Sequence, residues 1–114
     1  MLKNLLIVED NPGMRRFIKS LIEDLAVSVH ECRDGAEAMA AYEKFLPEWI
    51  LMDIEMKEKD GITATRELIA AYPDAKVLVL TKYDNERVRD AAKRAGAREY
   101  VLKEDLLTIR EVIS

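Results

Sequence analysis

Residues 5–12 read Leu5-Leu6-Ile7-Val8-Glu9-Asp10-Asn11-Pro12, and the order of residue types in this stretch decides the fold. Four apolar side chains in a row are the pattern of a short strand covered on both faces; a strand with one wet face would alternate. An acidic pair stops the run. Asn11 then supplies a helix N-cap, and Pro12 fits the first helical position, where no N–H is required.

Further apolar runs follow at Val27–Val29, Trp49–Met52, Val77–Leu80 and Tyr100–Leu102. The run at 27–29 is the weakest, with Ser28 and His30 interleaved, as expected of an edge strand. Helical periods separate the runs. Met14, Phe17, Ile18, Leu21, Ile22 and Leu25 recur at i, i+3, i+4 and i+7, which predicts an amphipathic first helix. A second helix is expected from Gly35 to Leu46, with Met39, Tyr42, Phe45 and Leu46 inward and Pro47 as its stop. A third covers Ile62 to Tyr72 before Pro73. The fourth, Asn85 to Ala95, buries Val88, Ala91, Ala92 and Ala95, with Gly96 as C-terminal cap. The last is short, about Asp105 to Ile113. Strand and helix alternate five times, which predicts one domain over residues 1–114, a doubly wound α/β sandwich with helices on both faces of a parallel sheet.

Composition narrows the function. The 114 residues are 49% hydrophobic and 35% charged, with a net charge of -4, so they make a globular chain without the basic stripe of a nucleic-acid surface. No run approaches the roughly 18 apolar residues that span a bilayer. The first ten residues lack the apolar core and cleavage site of a signal peptide. Cys32 is the single cysteine, so no internal disulfide is possible, and a reducing cytoplasm is the expected setting.

Ligands of an open parallel sheet bind at the carboxyl ends of its strands. There the sequence places Glu9 and Asp10 after the first strand, Asp53 at the end of the third, Thr81 after the fourth and Lys103 after the fifth. Each has an ordinary structural reading: acids at a helix start, a turn aspartate, a strand-end threonine, a surface lysine. Together they are the residue types that phosphoryl chemistry needs. Ionised carboxylates about 5 Å apart at an effective dielectric near 20 repel by about 3 kcal/mol per pair before screening, so the cluster calls for a hard cation or a shared proton. All-oxygen ligation suits Mg2+. An aspartate beside such an ion can attack a phosphoryl donor to form an acyl phosphate, with a lysine and a hydroxyl available for the phosphoryl oxygens.

The chain resembles the response-regulator receiver family along its whole length. The resemblance is carried by Leu5 to Asn11, Asp34-Gly35-Ala36-Glu37-Ala38, Leu51-Met52-Asp53-Ile54-Glu55-Met56 with Asp60-Gly61, Val79-Leu80-Thr81, Ala95-Gly96-Ala97 and Tyr100-Val101-Leu102-Lys103. It implies a flavodoxin-like, five-stranded parallel sheet in the order 2-1-3-4-5. It also implies a phosphorylation-dependent switch with Asp53 as phosphoacceptor. Asp10 and Asp53 would bind Mg2+, with Glu9 assisting through water and the backbone carbonyl of Glu55 as a further ligand. Thr81 and Lys103 would contact the phosphoryl group, and Tyr100 would be the aromatic switch.

Two departures stand out. Glu104 follows Lys103 where the family usually has proline, and a cis bond before a non-proline residue costs about 3 kcal/mol, so a trans bond is expected. Lys82 follows Thr81 where a small residue is common, and its side chain either faces solvent or crowds the pocket. Receivers joined to helix-turn-helix output domains commonly lack that proline too, and Thr81-Lys82-Tyr83-Asp84 is similar to their threonine segment.

The implied partners are a sensor histidine kinase or phosphotransfer protein docking on the first helix, where an exposed Met14 or Ile18 would support it. A homodimer through the helix 4–strand 5–helix 5 face or through helices 1 and 5 is a further expectation. Transcription would be regulated through an output domain, with no direct nucleic-acid contact by these residues and no membrane contact. The expected chemistry is limited to the domain's own phosphorylation and dephosphorylation. Two alternatives stay open: a Mg2+-dependent aspartate phosphatase, although Glu55 stands where such enzymes carry a second aspartate, and a receiver-like interaction module independent of phosphate. Flavin binding lacks a phosphate-cradling loop after the first strand.

Overall fold

The computed structural model describes residues 1–114. Five strands are present: β1 (Leu2–Val8), β2 (Ala26–Cys32), β3 (Trp49–Asp53), β4 (Val77–Thr81) and β5 (Glu99–Leu102). They alternate with helices α1 (Pro12–Ile22), α2 (Gly35–Phe45), α3 (Gly61–Ala71), α4 (Glu86–Ala95) and α5 (Thr108–Ile113). All pairings are parallel and the order is β2-β1-β3-β4-β5, as the resemblance implied.

Each continuous apolar run divides its side chains between two cores. Leu5, Ile7, Leu51, Leu78 and Leu80 face Ile18 and Ile22 of α1 and Ile109 and Ile113 of α5. Leu6, Val8, Ile50, Met52, Val77 and Val79 face the opposite layer, with Ala38, Ala64, Leu68 and Ala92 of α2, α3 and α4. Covering both faces of a central strand explains why its sequence does not alternate. Each fully buried Leu or Ile contributes about 1.5–3 kcal/mol. β2 is an edge strand, and Val27 on it is 74% exposed.

Side chains hold the helix starts. Asn11, Asp34, Asp60 and Asn85 accept from the N–H groups of Met14, Ala36, Thr63 and Val88, each cap being worth about 1 kcal/mol. Gly96, with φ 104°, closes α4 in the left-handed region that glycine enters without a Cβ penalty. The last helix is anchored from a distance. Arg110 forks onto Asp24 at 2.6 and 3.0 Å and donates to the carbonyl of Leu21 at 2.7 Å.

Several expectations need correction. Leu46 is not inward: Pro47 disfavours helical backbone before it, so Leu46 ends α2 left-handed (φ 49°) and points to solvent. Phe17 lies on the apolar period of α1 yet is exposed, because Ile18, Ile22 and the half-buried Met14 and Leu21 already fill the contact with the sheet. α1 stops at Ile22, and Leu25 belongs to a separate 3-10 turn, Glu23–Leu25. Before α5 stands another 3-10 turn, Lys103–Asp105, so the last helix begins at Thr108 rather than near Asp105.

Candidate functional site

The fold brings Glu9, Asp10, Asp53, Thr81 and Lys103 to one edge. Glu9 and Asp10 follow β1, Asp53 and Thr81 are the last residues of β3 and β4, and Lys103 follows β5. Asp53 and Thr81 are fully buried and Glu9 nearly so, while Asp10 is half-exposed. One oxygen from each of Glu9, Asp10 and Asp53 lies within 4.8 Å of the others.

Backbone contacts fix these groups. Asn11 N–H donates to Glu9 Oε2 at 3.2 Å, and Arg15 Nη1 donates to the Glu9 carbonyl at 2.8 Å while its Nε meets Glu31 at 3.1 Å. Arg15 thus fastens the start of α1 to the ends of β1 and β2. The loop after β3 is clamped by a close approach: a Cβ on Gly61 would sit 2.0 Å from the Asp53 carbonyl oxygen. Only glycine lets the first turn of α3 lie against the backbone of Asp53.

The charges are unevenly compensated. Lys103 Nζ lies 2.9 Å from Asp53 Oδ1 and 3.1 Å from Glu9 Oε1. Yet Glu9 Oε1 and Asp53 Oδ2 are buried without a hydrogen bond, the ammonium reaching Glu9 as an ion contact only. Burial, with Glu9 alongside, pushes the Asp53 carboxyl up to about 7 although Lys103 pulls the other way. Burial works to lower Lys103, but the neighbouring carboxylates of Asp53 and Glu9 outweigh it and hold the ammonium above its ordinary range. Three converging acids with the buried Asp53 Oδ2 unpartnered, and a single ammonium to offset them, are a donor set that fits a hard divalent cation.

The β4 side is tied up differently. Thr81 Oγ1 donates to Glu55 Oε2 at 3.0 Å, a contact of the Glu55 side chain that the sequence reading did not foresee. The half-buried Tyr100 donates its hydroxyl to the Tyr83 carbonyl, and its ring lies 4.5 Å from the Arg89 guanidinium carbon. Lys82 does not crowd the pocket: it is exposed, with Nζ 5.4 Å from the neighbouring Tyr83 ring. The Lys103–Glu104 bond is trans, as expected, with no cis peptide anywhere in the chain. Beside the site, Phe17 and Leu107 stand exposed along a groove between α1 and the segment from Lys103 to Thr108. Ile18 is fully buried and Met14 half-buried, so Phe17 rather than Ile18 offers the apolar contact on this face.

A doubly wound parallel sheet with an acidic pocket at its carboxyl edge is the architecture of the CheY-like signalling folds. The chain belongs to the response regulator receiver domain family, which it matches over residues 5–114. It is 39% identical to the transcriptional regulatory protein DegU of Brevibacillus brevis over 88% of this chain and 43% of that protein. It is 32% identical to the chemotaxis protein CheY of Halobacterium salinarum over 90% of this chain and 86% of that one. A crystal structure of a LuxR-family two-component response regulator from Aurantimonas superposes with a TM-score of 0.89 at 28% identity, covering 99% of this chain and 85% of that one. The chain therefore spans less than half the length of DegU but most of CheY. No helix is long and apolar enough to cross a membrane.

Proposed function

We propose that the domain is a cytoplasmic signalling switch that accepts a phosphoryl group on Asp53 from a sensor histidine kinase or phosphotransfer protein. The observation that carries this reading is Asp53 itself: a fully buried strand-end carboxylate with Oδ2 free and Oδ1 held 2.9 Å from an ammonium. A free oxygen lone pair is what attack on phosphorus requires, and the backbone clamp at Gly61 keeps it aimed. As the Asp53 oxygen bonds to phosphorus, the bond from phosphorus to the donor's leaving atom breaks. Lys103 then pairs with a phosphoryl oxygen, and the Thr81 hydroxyl can donate to another. Glu9, Asp10, Asp53 and the Glu55 backbone carbonyl would hold Mg2+, which supplies positive charge for the phosphoryl oxygens.

The exposed Phe17 beside the pocket suits docking of the phosphodonor on α1. A changed Tyr100 on the α4–β5–α5 face would alter contacts with an output domain or a second copy of the chain. DegU's printed name describes a transcriptional regulator, and control of transcription through an output domain is the corresponding proposal here. Chemistry is confined to the domain's own phosphorylation and dephosphorylation, without turnover of external esters.

Intact mass after incubation with acetyl phosphate and Mg2+ tests the reading. A single phosphoryl adduct is expected on the wild type and none on Asp53→Asn. An unmodified wild type, or equal labelling of the variant, overturns the assignment.

A further inference from the structure

The Thr81 hydroxyl and the Lys82 N–H close β4 beside Asp53, where phosphoryl oxygens on that residue would need donors. Both are already taken by one side chain. Thr81 Oγ1 donates to Glu55 Oε2 at 3.0 Å, and Lys82 N–H donates to Glu55 Oε1 at 3.4 Å, so each oxygen of the carboxylate has a partner. The N–H of the same residue donates to Asp53 Oδ1 at 3.3 Å. On the other side, Thr81 Oγ1 accepts from Tyr83 N–H at 3.1 Å, and the Tyr83 carbonyl accepts from the Tyr100 hydroxyl. A continuous hydrogen-bonded path thus joins Asp53 to Tyr100, and Glu55 is the member that links Asp53 to Thr81.

A carboxylate offers negative charge and acceptor oxygens only, as a phosphoryl group does. Thr81 has a single hydroxyl proton, so it cannot donate to Glu55 and to a phosphoryl oxygen together. Two anions sharing one part-buried pocket would also repel. We infer that the Glu55 carboxylate is the resting occupant of the Thr81 and Lys82 donors, an internal competitor that a phosphoryl group on Asp53 must displace before Thr81 turns. Displacement breaks the path between Glu55 and Thr81 and frees the Tyr83 segment that accepts from the Tyr100 hydroxyl. Glu55 is therefore a positioning residue that sets how strongly the domain resists switching, an inference that rests on Asp53 being the phosphoacceptor.

Beryllofluoride with Mg2+ serves as the probe, its dissociation constant measured by amide chemical shifts. Glu55→Ala is expected to bind it about tenfold more tightly, the scale of one charge-assisted hydrogen bond released. In a Thr81→Val background the same change should be worth less than about twofold, because the competed donor is gone. Glu55→Gln, which keeps an acceptor, should fall between. Without beryllofluoride, the Lys82 and Tyr83 amides of Glu55→Ala should move toward their positions in the saturated wild type. Unchanged or weaker binding by Glu55→Ala overturns the inference. Equal tightening in the Thr81→Val background also overturns it, since that result means simple charge repulsion. If no variant binds the probe, the phosphoacceptor reading falls and the inference with it; wild-type binding with Glu55→Ala unmoved sinks the inference alone.

Discussion

β1 has polar residues near both ends, and the two ends are treated in opposite ways. Near its start, both side-chain polar atoms of Asn4 have partners: Nδ2 donates to the Phe45 carbonyl at 3.1 Å and Oδ1 meets His30 Nε2 at 3.2 Å, while its own carbonyl accepts from Glu48 N–H at 2.9 Å. His30 stacks flat on Phe45, with ring centroids 3.6 Å apart, and covers the network. Beyond the other end, Glu9 is more deeply buried than Asn4 yet its Oε1 has only the ion contact with Lys103, and Asp53 Oδ2 beside it has no partner. A paired polar group holds the fold together, whereas an unpaired buried one costs stability and persists where binding or chemistry can use it. The contrast locates function on the carboxyl edge without reference to any motif.

The sharpest way to break the contrast is pH. In EDTA, the folded Asp53 carboxyl sits near 7, against an ordinary unfolded value near 4. A raised folded value favours the protonated fold, so this contribution is present below about pH 4 and disappears as the pH climbs through about 7. Stability by urea denaturation should fall between pH 5 and pH 8, by an amount on the order of 2 kcal/mol, and Asp53→Asn should flatten the slope. A wild-type profile as flat as the variant's would mean that the pocket is not strained. At the other end, Asn4→Ala should cost about 1–3 kcal/mol and at least about 4 °C of melting temperature, because the Phe45 carbonyl and His30 lose their partner. An unaffected melting curve would remove the paired half of the contrast.

Smaller effects refine it. Asp10→Asn should stabilise the EDTA-treated protein by about 0.5–1 kcal/mol while weakening Mg2+ binding in a calorimetric titration, Asp10 being half-exposed and its repulsion screened. Loss of stability instead would show that Asp10 holds structure rather than charge. Asp24 provides the opposite sign to Asp53. Its hydrogen bonds from Arg110 hold its carboxyl below the ordinary 3.8, so its contribution exists above that value and is lost as acid carries the pH through the lowered one. Asp24→Asn should therefore be slightly less stable than wild type near neutrality and indistinguishable from it in strong acid, as read from acid-unfolding midpoints.

Strand identity was legible in the sequence because a doubly covered strand needs consecutive apolar residues, and Leu5–Val8 or Val77–Leu80 can satisfy little else. The site residues were legible for a related reason: each ends such a strand, so locating the strands located them. What escaped notice depends on side-chain direction. Leu46 and Phe17 carry the right apolar character at the right spacing, but a left-handed cap turns one outward and a filled interface leaves the other uncovered. Glu55 was read for its carbonyl, and nothing linear shows that its carboxylate crosses to Thr81, 26 residues away. Arg15 is likewise an ordinary helix cation in sequence, and only the adjacency of β1 and β2 gives it Glu9 and Glu31 together.

The fork between Arg110 and Asp24 has a consequence for the time at which the domain becomes protected. It joins positions 86 residues apart, and the layer that it closes sets Ile109 and Ile113 against Ile18 and Ile22. On a ribosome adding about 5–20 residues per second, the apolar side of α1 waits roughly 4–17 s for that cover. Through that interval the nascent chain offers greasy surface to its neighbours, so slowing synthesis late in the message should increase aggregation more than slowing it early.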